Sequence, residues 1–457
     1  MKEKKINLFV MVIFAGLFFI NNYASQITLL GTGYVGLITG ACLAEFGNTV
    51  ICADTDNSKI NLLNNGIMPI YEPGLKELVL RNVESGRLIF TTNISDAIST
   101  SDCVFIAVGT PMNENGCADL SALVNAFTMI LPHLTRYKVI CVKSTVPIGT
   151  GQQLVALLES HGIQKKMYDL VSNPEFLREG TAISDFMNPD RIVIGAYSEN
   201  AREYMRFLYE PLLQKEVPCV FTTLSSAETI KYASNAFLAT KLSFINEIAN
   251  LCDQTGADIL DVALGMGLDK RIGSAFLKPG PGFGGSCFPK DLHALEHMGN
   301  YFGVHLNTVS AALHTNEEQK KKPVTKLLNL CGSIAGKTIS VLGLAFKSNT
   351  DDVRYSPAIT TIEYLLENGA RIKAFDPAAM PNMKKIFPDI TYCNSAYESV
   401  SDADAIIIMT EWDEFKYLDV GLVAELVKSR VLVDSRNLLN KDELDKYHFN
   451  YSMMGRP

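Results

Sequence analysis

The sequence predicts an α/β chain: two blocks on parallel sheets, joined by a long central helix and a helical middle domain. Three observations carry this. From Gln26 onward, short β-rich runs alternate with helical stretches, and the same alternation resumes in the last third. Between them, Ser225 to about Gln254 runs without a Pro or Gly. The 457 residues leave room for two or three units at roughly 150 residues each.

In the first block, residues 26–218, candidate strands are Gln26–Leu30, Thr49–Ala53, Cys103–Val108, Val139–Lys143 and Arg191–Ile194, with helices such as Leu37–Phe46 and Leu120–Leu131 among them. Residues 219–315 read as helical, beginning with the long helix. The run Lys320–Lys322 with Pro323 reads as a solvated hinge and helix start. In residues 316–457, strands are expected at Thr338–Leu342, Arg371–Phe375, Ala405–Met409 and Val431–Val433, and a helix at Ala358–Glu367. The two blocks echo each other. Gly31 opens a loop leading to a strand that ends at Asp54, and Gly343 opens one leading to Asp376, which predicts two Rossmann-like domains.

Composition narrows the class. With 47% hydrophobic and 20% charged residues the chain can bury full cores, which excludes wholesale disorder. A net charge of −8 argues against a nucleic-acid partner, which needs a basic face. Ten cysteines without a Cys-x-x-Cys pair exclude a disulfide scaffold and the usual structural zinc spacing. The plain reading is a reduced, cytoplasmic enzyme.

Residues 1–25 pull the other way. Lys2, Lys4 and Lys5 precede an apolar run from Leu8 to Ile20, which is signal-like but short for a membrane span of about 20 residues. Export signal, membrane tether and an upstream extension from a wrongly chosen start all fit. Membrane contact is expected only if this segment is real and retained.

Gly31-Thr-Gly33-Tyr34-Val35-Gly36 follows a strand and opens a helix, and Asp54 ends the next strand. Glycines there let backbone N–H groups approach a pyrophosphate, and the acid accepts from ribose hydroxyls while repelling a 2′-phosphate. NAD is the expected cofactor. Val108-Gly-Thr110-Pro and Lys143-Ser-Thr145-Val-Pro end further strands, either as ligand loops or as plain turns.

Gly280-Pro-Gly-Phe283-Gly284-Gly-Ser-Cys287-Phe-Pro-Lys-Asp291 wraps backbone around one thiol, a candidate nucleophile. Lys231 and Asn235 share one face of the long helix, where an ordinary polar face is the alternative. Glu175 and Glu179 are candidate bases, or merely helix caps. His293 and His297 have the i, i+4 spacing of a metal pair but lack the flanking Glu and a third ligand, so no metal is expected. An NAD site with a thiol suits two successive oxidations. An aldehyde must become tetrahedral, as a thiohemiacetal, before it can yield a second hydride.

Together with Asn173-Pro-Glu-Phe-Leu-Arg-Glu-Gly180 and Asn235-Ala-Phe-Leu-Ala239, these motifs resemble the UDP-glucose/GDP-mannose dehydrogenase family over roughly Gln26 to Arg456. The resemblance implies NAD-dependent four-electron oxidation of UDP-glucose to UDP-glucuronate through a cysteine thiohemiacetal and thioester. It implies Cys287 as nucleophile, Lys231, Asn235 and Asp291 around the reacting oxygen, Glu175 as base for hydrolysis and Thr145 holding the water. Gly31, Gly33, Tyr34, Val35, Gly36, Asp54, Lys59, Thr110, Glu179 and Arg354 would contact NAD. Lys278, Phe283, Gly284, Lys347 and Arg436 would line the UDP-sugar site, with Arg271 contributed across a homodimer interface. The alternatives are a GDP-mannose or UDP-N-acetyl-hexosamine 6-dehydrogenase and a non-catalytic sugar-nucleotide-binding protein.

Overall fold

The computed structural model describes residues 25–457. The apolar run Leu8–Ile20 therefore lies outside the described residues. Among the described residues no helix is long and apolar enough to cross a membrane.

The first sheet has eight strands: β1 (Gln26–Leu30), β2 (Thr49–Ala53), β3 (Leu88–Thr91), β4 (Cys103–Ile106), β5 (Lys138–Val142), β6 (Tyr168–Ser172), β7 (Ile192–Ala196) and β8 (Cys219–Thr222). Their spatial order is β3-β2-β1-β4-β5-β6-β7-β8. The expectation of a wholly parallel sheet needs one correction: β6 and β7 are antiparallel, with Ser172 opposite Gly195. The chain turns back at one end of the sheet through residues 173–191, which hold only the short helix Ala182–Met187, instead of crossing over. That return lays the Glu175–Glu179 segment along the carboxyl ends of the parallel strands.

The second sheet has six strands, all parallel: β9 (Thr338–Leu342), β10 (Arg371–Phe375), β11 (Thr391–Tyr392), β12 (Ala405–Ile408), β13 (Val431–Asp434) and β14 (Asn450–Met453). Its order, β11-β10-β9-β12-β13-β14, repeats the first six strands of the other sheet. In both, strand order reverses beside the first strand, which leaves a crevice at the carboxyl ends where nucleotides bind.

Between the sheets runs the helix Leu224–Thr255, opened by Thr223, whose side chain accepts from the Ser226 amide, and closed by Gly256 at φ 78°. Its 32 residues span about 48 Å. It packs against the helices Phe288–Tyr301 and Asn307–Lys320. The solvated hinge expected at Lys320–Lys322 is only partly so. Lys320 is buried at the end of its helix, its stem 3.3 Å from where a Gly282 side chain would begin and its ammonium 2.6 Å from Glu317. Lys322 starts the next helix, Lys322–Cys331, with Pro323 in its first turn.

Candidate active site

The turn after β1 is shaped by what its glycines exclude. Gly31 sits at φ 98°, and a side chain there would begin 2.6 Å from the Ala107 carbonyl. A Cβ on Gly36 would fall 1.9 Å from the Gly31 carbonyl, so the helix Tyr34–Glu45 can approach β1 this closely only with glycine. Gly33 is different: a Cβ there meets open space, and as the helix cap it offers no side-chain acceptor. The first-turn amides thus face a cradle at a helix N-terminus, which fits a dinucleotide pyrophosphate.

Asp54 accepts from the Thr32 amide at 2.7 Å, the Thr32 hydroxyl at 2.8 Å and the Asp56 amide at 3.0 Å. Burial alone would raise its pKa, but these bonds and Lys59 hold the carboxyl below its ordinary value. It is half-buried and retains acceptor capacity for ribose hydroxyls. The matching acid of the second block does not. Asp376 is fully buried and takes donors from Leu344, Ala345, Ala378, Ala379 and the Trp412 indole.

Beside this cradle the structure gathers the expected reactive residues. Lys231 donates to Glu175 at 3.0 Å with both side chains buried. One helical turn on, Asn235 donates to Asp291 at 2.6 Å, and Lys290 donates to the other Asp291 oxygen at 2.6 Å. Cys287 caps the helix carrying Asp291. Burial pushes its thiol up to about 11, with Lys231 pulling down and Glu175 and Asp291 pushing up. Burial would also raise Glu175, but Lys231, the Leu177 amide and Lys143 hold it below the ordinary carboxylate value. Lys231 moves the opposite way. Burial lowers it, yet Glu175, Cys287 and Asp291 together hold it above its ordinary value.

The glycine loop before Cys287 is pinned from three sides. Asn246 of the long helix accepts from the Gly280 amide, and Gln319 donates to the Gly280 carbonyl, both at 2.8 Å. Asn316 brackets Phe283, accepting from its amide and donating to its carbonyl. A Cβ on Gly284 would lie 2.3 Å from the Tyr355 carbonyl, so the loop presses directly on the second block. Asn316 and Gln319 escaped the sequence reading. Their i, i+3 spacing on a helix was the available signal, but nothing local shows what they reach.

Other expected residues fall less simply. Phe283 is buried in a cluster with Ala236, Ala239 and Leu292. Thr110 donates its hydroxyl to the Thr145 carbonyl at 2.8 Å, tying two strand-end loops together. Glu179 lies between blocks, accepting from Ser286 at 3.1 Å and Thr350 at 2.9 Å, with Arg354 at 3.8 Å. Arg354 itself is clamped on Asp352 of its own turn. Tyr34 donates to Glu72, which also takes the Gly180 and Ala182 amides. Val35 is on the first turn of the cradle helix, and Lys59 pairs loosely with Asp56 at 3.9 Å.

Arg436 donates to the Met409 and Phe346 carbonyls and packs on Gly280. Lys347 sits over the Phe346 ring at 5.5 Å. Lys278 is exposed, and Arg271, its side chain 89% exposed, pairs with Asp269. Lys143, quoted in a motif but given no role, is buried, bonded to Asn173, and lowered by burial to about 8.

Sequence models of the UDP-glucose/GDP-mannose dehydrogenase family match this chain in series: the NAD binding domain at residues 25–213, the central domain at 225–318 and the UDP binding domain at 340–441. The chain is 49% identical to UDP-glucose 6-dehydrogenase TuaD of Bacillus subtilis (strain 168) over 433 residues, covering 94% of this chain and 93% of the relative. It is 47% identical to the UDP-glucose 6-dehydrogenase of Rhizobium meliloti (strain 1021), over 94% of this chain and all of the relative. The solved structure of a UDP-glucose dehydrogenase from Pyrobaculum islandicum superposes with a TM-score of 0.89 at 37% identity, over 97% of this chain and all of that one. With its nucleotide cradle already described, the chain is an NAD-dependent dehydrogenase and belongs to the UDP-glucose/GDP-mannose dehydrogenase family.

Proposed function

We propose that this enzyme oxidises UDP-glucose to UDP-glucuronate, reducing two NAD per substrate. The observation that carries the reading is the buried cluster in which Cys287 adjoins the Lys231–Glu175 and Asn235–Asp291 pairs. Residues 26–218 are assigned to NAD, 219–315 to the subunit interface and 316–457 to the UDP-sugar. Gly31, Gly33, Gly36 and Asp54 would hold the dinucleotide, which when bound accepts hydride from C6.

The chain's own residues do the rest. The Cys287 thiol gives its proton to solvent water and its sulfur adds to the aldehyde carbon, forming a C–S bond as the carbonyl π electrons move onto oxygen. Lys231 and Asn235 stabilise the oxygen that gains charge, with Asp291 orienting Asn235. Loss of the second hydride leaves a thioester. Glu175 takes a proton from a water held by Thr145; the water adds to the thioester carbonyl, the C–S bond breaks and the thiol is restored.

A homodimer is part of the proposal. Phe237, Phe244 and Leu251 form an exposed apolar stripe at seven-residue intervals on the long helix, continued by Leu264 and Leu268. Arg271, extending beyond them, would reach the partner's substrate. We place the reaction in the cytoplasm, where NAD and nucleotide sugars are supplied.

The test uses limiting UDP-glucose, excess NAD and absorbance of NADH. Two NADH per sugar supports the proposal, and one demotes Cys287 to a structural thiol. Turnover only with GDP-mannose or a UDP-N-acetyl-hexosamine would move the substrate assignment, and silence with all would favour a binding protein.

A further inference from the structure

One buried carboxylate plays no part in the reaction just described. Glu228 lies on the long helix one turn before Lys231 and is 3% exposed. Its two oxygens accept from the Gly149 amide at 2.7 Å and the Gly151 amide at 2.8 Å. Those amides begin the helix Thr150–Ser160, whose cap residue Gly149 has no side chain with which to close it. Glu228 thus caps this helix from another element, where a carboxylate meets both orphan amides and the positive end of the helix dipole. Gly151 permits the approach, because a Cβ there would begin 3.1 Å from the Glu228 carboxylate and 2.9 Å from Leu224.

The same loop is held elsewhere too. The Ile148 amide donates to the Met298 sulfur at 3.2 Å, on the helix that begins beside Cys287. Ser144 donates to the Val108 carbonyl at 2.7 Å, and Thr110 to the Thr145 carbonyl at 2.8 Å. Residues 144–151 are therefore fastened to the strand-end loop, the cysteine helix and the lysine helix at once. Only Glu228 makes the last attachment with a charged, bidentate contact.

We infer that Glu228 is a positioning residue for thioester hydrolysis: it locks the loop bearing Thr145 to the helix bearing Lys231, and so sets Thr145 opposite the Glu175–Lys231 pair. The inference rests on the reading that hydrolysis uses a water between Thr145 and Glu175. In that step water oxygen bonds to the thioester carbon, its proton passes to Glu175, the C–S bond breaks and the sulfur regains a proton. No oxidant is consumed. An error of about 1 Å in Thr145 would slow this step by up to about 100-fold.

The experiment compares Glu228→Gln with Thr145→Ala and wild type. Each is quenched with acid during turnover on UDP-glucose and NAD, and the mass on Cys287 is read alongside kcat and KM. In Glu228→Gln, kcat should fall about 10- to 100-fold, KM for both substrates should stay within about two-fold, and a covalent sugar-nucleotide adduct should accumulate on Cys287. A merely structural role would lower the active fraction or the melting temperature with no adduct. Adduct in Thr145→Ala but not in Glu228→Gln overturns the inference while keeping the hydrolysis reading. Adduct in Glu228→Gln alone removes Thr145 from water binding and overturns the inference that Glu228 acts through Thr145. Adduct in neither overturns both. If Glu228→Gln does not fold, Glu228→Asp takes its place, retaining the charge with a shorter reach, and is judged by the same adduct.

Discussion

Lys231 and Glu175 face each other across 3.0 Å with side chains only 4% and 6% exposed, one from the long helix and one from the return loop after β6. A pair this dry is weak evidence for stability, because desolvation offsets much of the attraction, yet breaking one half leaves a buried charge alone. Glu175→Gln is therefore expected to destabilise the fold by about 3–5 kcal/mol, and Glu175→Gln with Lys231→Met together by much less. Denaturant midpoints of the two single variants and the double variant check this. Additive losses would mean that the pair is not coupled.

The Cys287 thiol, pushed up to about 11 by burial, is protonated at neutral pH in the free enzyme. Alkylation of Cys287 by iodoacetamide, followed on its own peptide, should rise about tenfold per pH unit from 7 to 9.5 without levelling off. A plateau below pH 8 would show a resting thiolate instead.

Gly36→Ala and Asp54→Ala should separate two kinds of cofactor loss. The first drives a methyl against the Gly31 carbonyl and should abolish NAD binding while lowering the melting temperature. The second leaves the turn's backbone in place and should weaken NAD by about 1–3 kcal/mol, read by calorimetry, with UDP-sugar affinity unchanged. Equal NAD affinity in Asp54→Ala and wild type would remove the ribose assignment.

Glu179, raised to about 7 by burial and the nearby Asp352, carries a pH signature. Between its ordinary value of 4.5 and about 7 the folded chain holds a proton that the unfolded chain has released. Stability from this group is therefore greatest at the acid end and falls as pH rises through that window. Unfolding midpoints measured from pH 5 to 8 should show this decline in wild type and a smaller one in Glu179→Gln. Identical pH slopes would refute it.

Subunit exchange tests the interface. Arg271→Ala and Cys287→Ser proteins should each be inactive, and mixing them should restore activity, because a mixed pair rebuilds one complete site. Phe237→Asp should yield monomers by sedimentation and lose activity. Failure of complementation alongside intact dimers would return Arg271 to its own chain.

The sequence was most legible where cause is local. β1, β2, β9 and β10 stand where their apolar runs lie between turn residues, and Gly31 and Gly36 mark a close approach of backbone. Cys287, Lys231, Asn235 and Asp291 also fall together, because helix spacing sets which residues share a face. What escaped depends on partners far along the chain. β6 and β7 have the same apolar character whichever way they pair, so direction is decided by the loop between them. Glu228 contacts amides 77 and 79 residues away, and Asn316 meets Phe283 at a separation of 33; neither contact leaves a trace near the residue itself.

One polypeptide carries two cradles built on the same strand order. Asp54 is half-buried and takes three donors, whereas Asp376 is fully buried and engaged by five donors of its own chain. The two acids thus close the same strand position in opposite ways: one carboxylate stays partly open, and the other is spent on holding its own turn together.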